Sequence, residues 1–222
     1  MKAEFKERFL KCWARYFPQA ELPIGFYYSD RAEPKFMAAP PKGHRCMIAD
    51  LAKVRKGKTA CFDERTIGCT GGKRYCGFAT QLAPDFPYFL SYGIPGQLEG
   101  ERYKKSPQLV QEHLKHQKPF KAPWPYLLFK RWDQMEEHDH PQVVVFFAPP
   151  DVLAGLFTLA NFDAPHPDGV VAPFGAGCAT IVDYPYRELQ SAEPRAVLGM
   201  FDASARPFVP ATVLSFAVPW PI

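Results

Sequence analysis

"VVVFFAPPDVLAGLFTLANF", residues 143–162, is the stretch on which the reading of the fold turns. It has the length and apolar content of a membrane-spanning helix, which takes about 20 such residues. Yet Pro149, Pro150 and Asp151 stand at its middle. Prolines there remove amide donors and clash with the preceding turn, and an aspartate would be carried into hydrocarbon. The stretch therefore predicts a buried strand, a turn, and a helix capped by Asp151.

Working outward, "PYLLFKRW" before it and "AVLGMF" and "ATVLSFAVP" after it are strand-like runs. "PIGFYYS" and "KTACFD" read as shorter strands, and "DGVVAPFGAGC" as a strand, a glycine turn and a cysteine. Residues 4–17 place Phe5, Phe9, Cys12, Trp13 and Tyr16 at helical spacing, and Pro18 ends the helix. "HRCMIADLAKVRKG" predicts a helix with Met47, Leu51 and Val54 on one face and Gly57 as its stop. "SPQLVQEHLKH" predicts another, with Ser106 as cap and Pro107 in its first turn. "ATIVDYPYREL" reads as helical until Pro185 interrupts it. Helices and strands mix without βαβ alternation, so the expected fold is α+β. Residues 1–222 would form a single domain, with a mixed β-sheet flanked by helices. The 24 prolines, about twice the usual share, argue against a helical bundle.

The charged opening "MKAEFKERFLKCW" does not read as a secretory signal, and no membrane segment is expected, so a cytoplasmic location follows. Six cysteines would there stay reduced, available for metal, cluster or redox chemistry or for burial. The net charge of +4 is uneven, because residues 143–222 carry seven acidic side chains against three arginines. The basic part, including "KVRKGK" at 53–58, reads as a solvated surface rather than a nucleic-acid footprint.

Chemistry is expected around cysteine. "TIGCTGGKRYCGF", residues 66–78, brackets Cys69 and Cys76 with Gly68, Gly71, Gly72 and Gly77. Cys46 lies near a helix start, and Cys178 follows "FGAG", with Gly175 and Gly177, where another helix begins. Glycines allow backbone amides to approach thiolates closely, and helix starts lower a thiol pKa. Cys12 and Cys61 are expected in the core. Cys46, Cys69, Cys76 and Cys178 form the candidate metal set for an iron–sulfur cluster, with zinc or no metal as alternatives. Their spacing lacks the tight C-x2-C pairs of local zinc or ferredoxin patterns.

The order of "RCMIADLAKVRKGK", "GCTGGKRYCGF", "VVVFFAPP", "APFGAGCATIVDYP" and "LGMFDASARPFVP" resembles the domain of unknown function 169 family, the uncharacterised ArCR group. The likeness is clearest over residues 44–219. It carries Cys46, Cys69, Gly71, Gly72 and Cys178 as family positions. The resemblance implies a shared cysteine-centred site and brings no reaction with it.

His44 and Arg206 are candidates for proton transfer or for holding an anionic group near the thiols. His113 with His116, and His138 with His140, are weaker metal candidates. The function expected is a cluster or metal protein with a redox partner or a small anionic ligand. Two alternatives stay open: a metal-free enzyme using Cys178 as a reactive thiol, and a small-ligand or RNA-binding module with structural cysteines.

Overall fold

The computed structural model describes residues 2–220, in which nine strands and seven helices follow one another irregularly. The first half holds α1 (Ala3–Tyr16), β1 (Ile24–Ser29), α2 (Met47–Arg55), β2 (Ala60–Phe62), α3 (Thr70–Tyr75), α4 (Phe86–Phe89), β3 (Gly93–Ile94), β4 (Leu98–Glu99) and α5 (Pro107–His116). The second holds β5 (Tyr126–Arg131), β6 (Val143–Ala148), α6 (Pro150–Asn161), β7 (Val170–Val171), α7 (Tyr184–Glu188), β8 (Ala196–Gly199) and β9 (Leu214–Pro219). A π-helical turn, Ala179–Asp183, leads into α7.

Seven strands form one sheet in the order β2-β5-β1-β6-β9-β8-β7, and β3 with β4 make a separate hairpin. All pairs in the large sheet are antiparallel except β7 with β8, so the sheet is mixed and the fold is α+β. β6 is central and buried at all six positions, which explains its unbroken apolar run. Val143, Val145 and Phe147 face a core built with Met47, Leu51 and Val54 of α2 and with Ile181 and Val182 of the π turn. Val144, Phe146 and Ala148 face the opposite core, where Trp13 of α1 and Val152 and Leu156 of α6 pack. Each such side chain contributes about 1.5–3 kcal/mol by leaving water. Phe86, Leu90, Tyr103 and Val110 form a third, smaller core beside the first.

The strand, turn and helix over 143–162 are as read from sequence, and among the described residues no helix is long and apolar enough to cross a membrane. Three details differ. Pro149, not Asp151, holds the N-cap of α6, and Asp151 lies in the first turn, where it favours the positive helix end. Pro185 does not interrupt its helix, because it falls in the first turn of α7, where an amide donor is dispensable, and the preceding turn widens to π. Cys12 is exposed, while Cys61 is buried. The buried stripe of α1 ends on Trp13, and each residue turns the helix by about 100°, which carries Cys12 out to solvent.

Candidate thiol site

Three cysteines occupy backbone starts that converge on one chamber. Cys46 is the N-cap of α2, its side chain making no capping hydrogen bond, and the Ala49 amide donates to its carbonyl at 3.1 Å. Cys69 is the N-cap of α3; its Sγ accepts from the Gly72 amide at 3.4 Å and is also approached by the Gly71 amide. Cys178 begins the helical turn that runs into the π segment. The three line a cavity of about 300 Å³ together with Gly71, Tyr75, Gly177, Glu101 and Asp202.

The glycines divide by role. A Cβ on Gly71 would stand 3.8 Å from Cys69 Sγ, toward the chamber, so its absence leaves the sulfur accessible. A Cβ on Gly177 would fall 2.6 Å from Met200 Sδ, so this glycine lets the Cys178 turn sit against the chain before Asp202. Gly68 and Gly175 instead make room for Pro41 with Arg45 and for the Tyr184 ring. Gly77 takes a φ of +76° beside the Ala122 backbone, a turn that serves packing.

Cys76 is not on the chamber wall. It is fully buried in the first core, and its thiol donates to Met47 Sδ at 3.1 Å. Burial raises the pKa of Cys46 and of Cys69 above the ordinary thiol value. For Cys178 burial comes first, and the neighbouring Cys69, Cys76, Asp202 and Cys46 add to it, so its thiol is pushed well up. The guanidinium on the chamber wall, Arg45, is tied to Asp50 at 2.8 Å. Arg206 donates to the carbonyls of Met200, Pro210 and Val213, which braces the turn holding Asp202 but leaves it off the chamber wall. His44 is exposed and lines the chamber mouth. Of the other histidines, His113 pairs with Gln117 at 2.8 Å and packs on Tyr103, while His116 is exposed.

Tyr75 is the residue that sequence reasoning passed over. It is 1% exposed, lines the chamber, and among the described residues its hydroxyl has no hydrogen-bond partner. A buried hydroxyl without a partner costs about 1–3 kcal/mol. The available signal was its spacing: Tyr75 lies four residues after Gly71 and so shares that face of α3. Glu101 and Asp202 also line the chamber. They come from the two places where a non-glycine residue takes a left-handed φ, Arg102 at +52° and Met200 at +67°. Such conformations are uncommon and collect at functional sites.

A family model for an uncharacterised ArCR domain, domain of unknown function 169, matches residues 19–222. No curated protein and no solved structure matches the chain. With the match covering nearly the whole sequence, the chain belongs to the domain of unknown function 169 family.

Proposed function

We propose that the protein binds an iron–sulfur cluster in this chamber through Cys46, Cys69 and Cys178, leaving one position of the cluster open to a small ligand. The observation that carries the reading is the convergence of three thiols, Cys46, Cys69 and Cys178, on one cavity. Tyr75 lines the same cavity, and its buried hydroxyl has no partner among the described residues, an exception among buried polar groups. Electrostatics point the same way. Three thiols, Glu101 and Asp202 all become negative on ionisation, and the adjacent guanidinium is already neutralised by Asp50. A metal centre is the group that lets the thiols lose their protons there.

Spacing tells against a preformed single-zinc site. Two zinc–sulfur bonds of about 2.3 Å end to end hold sulfurs within about 4.6 Å. Among the described residues the three sulfurs do not form a set lying within 4.8 Å of one another. The reactive-thiol alternative is disfavoured because burial pushes all three thiols up, and a protonated thiol is a poor nucleophile. When bound, the cluster would supply electron transfer or Lewis acidity at its open iron. The reading also places the chain in the cytoplasm, where reducing conditions keep thiols available.

The test is purification without oxygen, followed by an absorption spectrum and iron, zinc and acid-labile sulfide analysis. Wild type should be brown with matched iron and sulfide. Cys69→Ser should lose both, and Cys76→Ala should keep both. Zinc without sulfide, or a folded protein with neither metal, overturns the cluster.

A further inference from the structure

The thiol chamber opens into a larger cleft of about 880 Å³, and the two share His44, Phe89 and Glu101. Phe86, Phe89, Ile94 and Leu98 of α4 and the β3–β4 hairpin give the cleft an apolar wall. Its charges are uneven. Asp85, Glu99 and Glu101 face it, and the one guanidinium present, Arg102, is held by Glu99 at 2.6 Å. Glu101 has no ion pair among the described residues. Its position is fixed by its own amide on the Phe89 carbonyl at 2.7 Å and by the Arg102 amide on the Ser91 carbonyl at 2.8 Å. A half-buried carboxylate therefore stands where the apolar cleft and the thiol chamber share a wall.

We infer that this cleft is the substrate site of the thiol centre and that it takes an organic ammonium compound, its apolar body along Phe86, Phe89 and Leu98 and its protonated amine at Glu101. Volume and lining match a small-molecule site, which is mostly apolar with a few placed polar groups. The sign of the charge decides the class. A carboxylate substrate would meet Glu101 and Asp85, while among the described residues the guanidiniums of the two linings, Arg102 and Arg45, are already paired with Glu99 and Asp50. An ammonium group gains a charge-assisted hydrogen bond to Glu101. The inference rests on the proposed metal centre for what the site serves, but binding in the cleft needs no metal.

The experiment is calorimetric titration of the full chain with two probes of similar shape and opposite charge, 4-phenylbutylamine and 4-phenylbutyrate. The amine should bind roughly tenfold more tightly, the effect of one charge-assisted hydrogen bond. Glu101→Gln should erase most of that preference. Leu98→Trp, on the exposed hairpin, should abolish amine binding by filling the cleft while the thermal unfolding profile is retained. Equal affinity for the two probes, preference for the acid, or a preference that survives Glu101→Gln overturns the inference. Iron and sulfide analysis of the same preparation separates this from failure of the cluster itself.

Discussion

Two groups of polar side chains invite a metal reading, and they differ in one respect that decides between them. Glu33, His138 and Asp139 bring their potential ligand atoms within 4.8 Å of one another, closer than the three chamber thiols. Yet that group is already filled. Lys130 places its ammonium 2.8 Å from Asp139 and 3.5 Å from Glu33, and Tyr27 donates to Asp139 at 2.5 Å. The thiol chamber is looser and encloses space, and among the described residues the hydroxyl of Tyr75, one of its lining residues, has no partner. Proximity of ligand atoms is thus a poorer guide than whether their charge and hydrogen bonds are already met. The tight group is a structural knot between β1, β5 and the loop before β6. The loose group is the one proposed as a site.

The largest expected effect breaks the knot. Lys130 and Asp139 are 3% and 0% exposed, so removing one partner strands the other's charge in the interior. Lys130→Met should cost about 3–5 kcal/mol in denaturant unfolding. It should leave iron and sulfide content of the folded fraction unchanged, because the knot and the chamber share no residue. A cost under about 1 kcal/mol would mean that water reaches the pair, as in surface ion pairs, and the contrast between the two regions would fail.

Acid should sharpen the same contrast. Burial acts to raise the Asp139 pKa, but the Glu136 amide, Lys130 and the Tyr27 hydroxyl outweigh it and hold the carboxyl below its ordinary range. A carboxyl lowered on folding contributes stability that is fully present above its unfolded value, about 3.9. That stability is lost as pH falls through the lower folded value. Unfolding free energy should therefore drop steeply below about pH 4 in wild type, and the drop should be shallower in Lys130→Met. An acid limb of the same steepness in both proteins would assign it to other carboxylates.

The difference between the regions also explains what could be read from sequence. Periodicity and punctuation sufficed for the elements: the alternating faces of β6, the prolines before α6, and Ser106 capping α5 through the Leu109 amide. Pro185 misled because a proline in the first turn and a proline within a helix look alike until the preceding π turn is seen. The candidate site was half legible. Cysteine and glycine spacing pointed to Cys46, Cys69 and Cys178. The same spacing could not separate Cys69 from Cys76, which fall on nearly one helical face but about 10 Å apart along the axis. Depth decided that Cys69 meets the chamber and Cys76 meets Met47. Asp139 and Lys130 are nine residues apart and pair across a turn and strands, a contact with no local signature.

The smallest effect is also the most discriminating. Tyr75→Phe removes the unpartnered hydroxyl and nothing else, so the metal-free protein should be as stable as wild type or about 1 kcal/mol more stable. Removing a hydroxyl that had found a partner would destabilise instead. In protein holding the cluster the sign should reverse in another quantity. Loss of a hydrogen bond to the bound group makes its reduced, more negative form harder to reach, so the reduction potential should move down, measured by redox titration. Stability gained in the empty protein, together with a potential shifted in the loaded one, is the signature of a residue placed for its ligand. A destabilised metal-free variant would instead return Tyr75 to the kind of region that Lys130 and Asp139 occupy, where every polar group is held for the fold.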